Sequence, residues 1–317
     1  EIETLFVERI SQLLKPKGIA AVILPSSILS NNNPVSYTKA REIILKHFFI
    51  RAIICFGGKT FGATATSTIT LFLEKFNESP TRYKLLLDSA KSIVSGSPLT
   101  NWEDQDIFNE YLAQIGIEEE VYRSFISGEN EYNSFAQYEY FSNYISAFLK
   151  SSTLSNRIKT KSFKKLTEEE QNKILQSLFY EYVLPLEEEK IFYFGLVRSQ
   201  NTLVITSPTD NAQQKAFLGY DWSNRKGSEG IVITNPGGLL YNDNNRYATG
   251  TVAHAVKLSF DDASVQSDAL KDIAQYYRLK DMLDFSRPYF DKSIHTTAKK
   301  NISIRSSFPI LKLGQFV

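Results

Sequence analysis

Two apolar runs near the start of the chain, Ile19 to Leu24, which is continuous, and Phe49 to Phe56, interrupted only by Arg51, set the first limit on what it can fold into. A strand with one wet face alternates apolar and polar residues, whereas an unbroken run fits a strand buried on both faces, as in a parallel sheet. Before the first run, Ile2, Leu5, Phe6, Ile10, Leu13 and Leu14 fall at helical spacing, and Pro16 and Gly18 end that helix. Pro25-Ser26-Ser27 stops the first strand. Asn31 to Pro34 is a loop, and Ser36 is placed to cap a helix running to about Lys46. Gly57-Gly58 breaks the second strand, and a third runs from about Ser67 to Leu73. Helix, strand, helix, strand, loop, strand is an α/β pattern. The first two strands are expected to be parallel neighbours joined by a right-handed crossover. The third follows too few residues for a helix and is expected to enter antiparallel. This is half of a doubly wound sheet, too small to close a core alone.

After Pro80 the texture changes. Tyr83 to Leu87 reads as one more strand, and residues 103–150 carry Glu, Tyr, Phe and Leu at helical spacing. Thr167 ahead of Glu168-Glu169-Glu170 is a helix start, with the helix expected to run through Tyr182. Pro185 is expected to break it. A new helix from Leu186 to about Val197 would then hold Glu187-Glu188-Glu189 in its first turn, where negative charge suits the dipole. Thr202 to Ile205 reads as a short strand, 206–260 as loop-rich, and 265–285 as helix. The expected division is a sheet-forming part over 1–80, a helical region over 81–200, a mixed connector over 201–310, and the start of a further domain at 311–317.

Composition removes several classes of function. The net charge of +1 means that any nucleic-acid contact must come from local patches rather than from the whole chain. One cysteine, Cys55, rules out a disulfide within the chain and suits a reducing, cytoplasmic setting. His47, His254 and His295 lie far apart without ligand spacing, so no metal site is expected. No apolar run approaches the roughly 18 residues of a membrane span.

The informative stretch is 19–75. Val22-Ile23-Leu24-Pro25-Ser26-Ser27-Ile28-Leu29 is a strand running into a small polar turn. Further on stands Phe61-Gly62-Ala63-Thr64-Ala65-Thr66-Ser67-Thr68-Ile69-Thr70-Leu71-Phe72-Leu73-Glu74-Lys75. In this order and spacing the two resemble the late half of the gamma-type N6-adenine DNA methyltransferases, especially modification subunits of type I systems and fused methylase-specificity restriction enzymes. The resemblance covers about a quarter of the chain. It implies the second half of a Rossmann-like sheet, double-stranded DNA as partner, and methyl transfer from S-adenosylmethionine to adenine N6.

An enzyme that modifies a base inside a duplex must extrude it, and an aromatic face can replace the lost stacking, worth roughly 1–3 kcal/mol per base. The resemblance gives that part to Phe61. The other reading of Phe61 is a core residue capping the sheet. Lys59, Thr60 and Thr64 flank it, either as phosphate contacts or as solvated loop residues.

The family's two upstream motifs are absent. There is no Gly-rich cofactor turn after a first strand and no Asn-Pro-Pro-aromatic loop. Asn235-Pro236-Gly237-Gly238 lacks the second proline and the aromatic, follows the late motifs, and reads as a turn. The chain is therefore expected to be a piece that begins after those motifs, with no cofactor bound by the piece alone.

Residues 213–230 resemble a segment between the methylase and specificity regions of the fused enzymes. There Trp222, Asn224, Arg225 and Lys226 read either as a DNA-facing loop or as a loop anchored by Tyr220 and Trp222. Arg157, Lys159, Lys161, Lys164 and Lys165 form the densest basic cluster, a candidate phosphate patch or a solvated surface. Leu311 to Val317 resembles the start of a target-recognition domain of the type I specificity kind.

These observations lead to the expectation of a restriction-modification adenine methyltransferase whose other partners are its missing N-terminal methylase half and C-terminal specificity region. Two alternatives stay open. One is a non-catalytic DNA-binding or assembly module of a restriction-modification complex. The other is a methyltransferase for RNA or a small molecule, since such sheets are widely shared.

Overall fold

The computed structural model describes residues 2–297 apart from 59, 61–65, 78, 100, 224, 228, 235–237, 246 and 247. In chain order its elements are α1 (Ile2–Leu13), β1 (Ile19–Pro25), α2 (Val35–His47), β2 (Phe48–Phe56), β3 (Thr68–Lys75), α3 (Ser79–Val94), α4 (Trp102–Ile115), α5 (Glu119–Ile126), α6 (Glu139–Leu149), α7 (Ser152–Ile158) and α8 (Glu168–Val197). Then follow β4 (Asn201–Thr206), α9 (Asn211–Leu218), β5 (Tyr220–Ser223), β6 (Gly230–Ile233), α10 (Val252–Phe260) and β7 (Ala274–Arg278).

Five strands form one mixed sheet in the order β1-β3-β2-β4-β7. β1, β2 and β4 run one way, while β3 and β7 run against them. The antiparallel entry of β3 is as expected. The expected neighbourhood of β1 and β2 is not: β3 slots between them, with Leu71 opposite Val22 on one side and Ile53 on the other. That central place buries Ile69, Leu71 and Leu73, which an edge position would leave half wet. The sheet also reaches beyond the first eighty residues, because β4 pairs parallel with β2 and β7 closes the far side.

Alternation along β2 builds two cores. Ile50 and Ile53 face the larger one, with Val7, Ile44, Leu45 and the helices α3 to α8. Ala52 and Ile54 face a smaller one, with Leu203, Ile205, Phe217, Val252 and Val256 from β4, α9 and α10. Burial on both faces thus holds for β2. It fails for β1, where Ile19 and Ile23 remain 59% and 57% exposed, because among the described residues no helix covers the second face of that edge strand.

The helices depart from expectation at four places. Tyr83 to Leu87 lies inside α3, where Leu86, Ala90, Ile93 and Val94 fall on one buried face at helical spacing. Pro185 sits inside α8, which continues through it as one helix of 30 residues, about 45 Å long. Glu187 to Glu189 are therefore mid-helix rather than in a first turn, and Glu187 is fully buried. Residues 265–285 hold β7 and a 3-10 turn at Leu279–Met282 rather than a helix, since pairing with β4 satisfies that backbone. At α2 the cap is Pro34 and not Ser36. The start of α8 is as expected: Thr167 accepts from the Glu170 amide and the Glu170 carboxylate accepts from the Thr167 amide.

Among the described residues no helix is long and apolar enough to cross a membrane.

Candidate functional site

In open α/β sheets the ligand crevice lies outside the carboxyl ends of the parallel strands. Here those ends are Pro25 of β1, Phe56 of β2 and Thr206 of β4, and β3 enters at the same edge with Thr68. The connection between β2 and β3 therefore begins and ends in the middle of this edge. It carries the Phe61 sequence.

Its stem is held by residues from beyond β4. The Gly57 amide donates to Ser207 Oγ at 3.0 Å, and the Ser207 amide donates to the Cys55 carbonyl at 2.9 Å. The Thr60 hydroxyl donates to the Gly57 carbonyl at 2.8 Å. The Tyr220 hydroxyl, first residue of β5, donates to the Thr60 carbonyl at 3.2 Å. Gln214 of α9 donates weakly to the Gly58 carbonyl at 3.5 Å. A Cβ at Gly57 would stand 2.4 Å from Gln214 Nε2, so glycine there lets the connector close onto the stem. On the other flank the Ser26 amide donates to the Ser67 carbonyl at 3.0 Å.

The turn after β1 is held from below. Arg41 of α2 is buried and donates to the carbonyls of Ile28 and Asn31, each at 2.8 Å, and to that of Asp291 at 2.9 Å. The Ile294 amide donates to the Leu29 carbonyl at 2.8 Å, so the segment after β7 straps this turn. Burial raises the Cys55 thiol against opposing hydrogen bonds with Thr296 and Thr206, which keeps it neutral at the end of β2.

Of the residues singled out from sequence, Thr60 is buried in the stem with its hydroxyl bonded inside the turn. Lys59, Phe61, Thr64 and Asn224, with Asn235–Gly237 and Leu311–Val317, lie outside the described residues. Trp222, Arg225 and Lys226 are exposed on the β5–β6 hairpin and its turn. Thr60 and that hairpin are brought together through Tyr220. The basic cluster is elsewhere. Lys159, Lys161, Lys164 and Lys165 are exposed and Arg157 half-buried beside the start of α8, where Gln171 bonds the Phe163 and Leu166 carbonyls. Gln200, just past the other end of α8, accepts from the Ile50 amide in the sheet. At about 1.5 Å per residue the cluster stands roughly 40 Å from the sheet along that helix.

Sequence reasoning missed Ser207, Gln214 and Arg41. Ser207 and Gln214 each reach the stem by a side-chain hydrogen bond across 150 residues or more, which no local pattern reveals. Arg41 sits on an ordinary helix face, and only the packing of the strap makes it buried.

Asp210, an acid at this edge, caps α9 by accepting from the amides of Ala212 and Gln213 at 3.0 Å. A cavity of about 410 Å³ lies away from the edge, between α3, α4 and α8, lined among others by Arg82, Ser89, Asp104 and Arg198.

Residues 1–143, just under half of the chain, match the family described as N-6 DNA Methylase. The matched stretch holds β1, β2 and β3, the loop stem, and the helices into α6. It supports a DNA methyltransferase of that kind. Among curated proteins no match is found.

Proposed function

We propose that this chain is part of a restriction-modification DNA methyltransferase that transfers methyl from S-adenosylmethionine to adenine N6 in double-stranded DNA. In this reading the β2–β3 loop receives the extruded adenine, with Phe61 as its stacking face, Lys59 and Thr64 around it, and the buried Thr60 shaping the stem. Trp222, Asn224, Arg225 and Lys226 face the same DNA from the hairpin. The basic cluster from Arg157 to Lys165 meets backbone phosphates at a distance.

The observation that carries the reading is the open side of the sheet. The N-6 DNA methylase match falls on a half-sheet whose outer strand β1 has, among the described residues, no strand on its far edge, and an exposed apolar face at Ile19 and Ile23. Beside it α1 exposes Ile2, Leu5, Phe6 and Leu13. A surface of this kind calls for a further strand and helix. In the proposal these come from a preceding methylase half that carries the cofactor turn and the catalytic loop, and a specificity region follows. In the proposal the cofactor is held by that preceding half, so no step of the transfer is assigned to this chain beyond receiving and stacking the base.

The test is methyl transfer from labelled S-adenosylmethionine to duplex DNA, read as N6-methyladenine after nuclease digestion. The protein that includes the preceding coding region is expected to give the product, and the 317-residue chain alone is expected to give none. Product from the chain alone overturns the division of labour. DNA binding without product from the longer protein favours the non-catalytic module.

A further inference from the structure

The β5–β6 hairpin places its apolar side chains outward. Trp222 pairs with Ile231, and Tyr220 with Ile233, so these four share one face. Trp222 is 40% exposed, Ile231 59% and Ile233 64%. On the other face Asp221 is held by Lys215 at 2.6 Å. The base of the hairpin is fixed. Phe217 is buried with its ring centroid 6.4 Å from that of Phe56, and Gly219 turns the chain from α9 directly into β5. A Cβ at Gly238 would stand 2.9 Å from the Gly219 backbone, which shows how closely the two segments pack there. The turn beyond Trp222 exposes Arg225 and Lys226.

Resting on the methyltransferase reading, we propose that this hairpin is a wedge: Trp222, with Ile231 beside it, enters the base stack where the extruded adenine leaves a gap. The Tyr220 bond to the Thr60 carbonyl fixes the wedge relative to the base-receiving loop. Apolar and aromatic side chains that occupy a disrupted base step are a general device for holding a duplex open. Arg225 and Lys226 suit the phosphates on either side of such a step. A protein partner fits less well. Four side chains, two of them already more than half covered, fall short of the ~800 Å² per partner that a stable interface buries.

The experiment compares methyl transfer by the complete protein on a fully paired duplex and on one whose target adenine is mispaired. Mispairing removes much of the cost of extrusion before the enzyme acts. With the paired duplex, Trp222→Ala is expected to lower kcat roughly ten- to a hundredfold, the range that loss of one stacked aromatic gives. With the mispaired duplex the loss is expected to shrink to about threefold or less. Trp222→Phe should keep most of the rate. Ile231→Ser, on a strand with little burial to lose, should follow Trp222→Ala more weakly.

Equal loss on both duplexes makes Trp222 an ordinary DNA contact and overturns the wedge. No loss on either duplex, with the wild type active, also overturns it. A wild-type complete protein that does not methylate at all fails the underlying reading, and the wedge falls with it. These results are distinguished by the wild-type lane alone.

Discussion

The carboxylate of Glu187 lies 2.8 Å from the ammonium of Lys190, one turn along α8, and neither side chain reaches solvent. The hydroxyls of Tyr111, Tyr122, Tyr140 and Tyr144 all donate to the same carboxylate. Lys190 also donates to the Phe285 and Arg287 carbonyls, which ties the segment after β7 to the helical region. A buried pair is no more stable than a good apolar core of the same shape, but breaking it leaves one charge without a partner, at a cost of about 3–5 kcal/mol. Glu187→Ala and Lys190→Ala are each expected to lose about that much in urea unfolding. Replacing both with apolar residues of similar volume should cost less than the sum of the two. An additive double replacement would show that the two charges act independently.

The same cage gives a pH dependence. Burial pushes the Glu187 carboxyl up, but Lys190 and the tyrosine hydroxyls outweigh it and hold the group below the ordinary carboxylate range. The folded value is thus below the unfolded one of about 4.3. The stabilisation is full above the unfolded value and is lost as pH falls through the folded one. In urea midpoints between about pH 7 and pH 3, the wild type should lose stability more steeply than Glu187→Gln, which has no proton to gain at this site. Parallel curves for the two proteins would place the acid sensitivity elsewhere, with Asp291 next in line because its carboxyl is also held low against burial by Asn32, Ser293 and Arg41.

Arg41 does for the edge of the sheet what Glu187 does for the helices. Its guanidinium reaches the turn after β1, the side chains of Asn32 and Thr38, and the Asp291 carbonyl. Arg41→Met removes these donors and leaves buried carbonyls unpaired, so a loss of at least about 3 kcal/mol is expected. Arg41→Lys should recover little of it, since a single ammonium cannot span the fork. Limited proteolysis should then cut in 26–34 and 288–297 before elsewhere. Unchanged cleavage there would mean that the strap is held without Arg41.

What the sequence made legible was whatever depends on neighbours along the chain. The apolar runs marked β1 and β2, the short connection marked β3 as antiparallel, and Thr167 with Glu170 marked the start of α8. What it hid depends on contacts between distant segments. Tyr83 to Leu87 carries strand-like residues, yet the packing of Leu86, Ala90 and Ile93 against the larger core makes it helix. Pro185 signals a break, but Val183, Glu187, Lys190 and Ile191 bury on both sides of it, and that packing carries α8 through. At the candidate site the strands on either side of the Phe61 sequence were legible. The supports of the loop stem, Ser207, Gln214 and the Tyr220 hydroxyl, come from residues whose partners only the fold supplies.

The open edge of β1 makes the chain's own behaviour testable. A strand with an edge unpaired among the described residues and with exposed Ile19 and Ile23 is a template for another strand. The purified chain is expected to self-associate, with a mass above that of one 36.1 kDa chain in light scattering at micromolar concentration. Ile23→Lys puts a charge on that face without touching a buried contact and should shift the distribution toward monomer. Wild type and Ile23→Lys that are equally monomeric would count against an adhesive edge.

Phe61 is the residue on which the base-receiving reading stands or falls. The stem before it in sequence is pinned at Gly57 and Thr60 by Ser207 and Tyr220, independently of the Phe61 ring, so in this reading truncating the ring leaves the sheet intact. Stacking on the extruded base acts after the duplex is bound, whereas affinity for duplex DNA comes mainly from phosphates. In the complete protein Phe61→Ala should therefore lower single-turnover methylation roughly ten- to a hundredfold, as expected for the loss of one stacked base. Duplex Kd should stay within about threefold, because no phosphate contact is removed. Phe61→Tyr, which keeps an aromatic face, should retain most of the rate. Equal losses in rate and affinity would make Phe61 a structural or backbone-contacting residue. Loss of thermal stability in place of activity would make it a cap on the sheet.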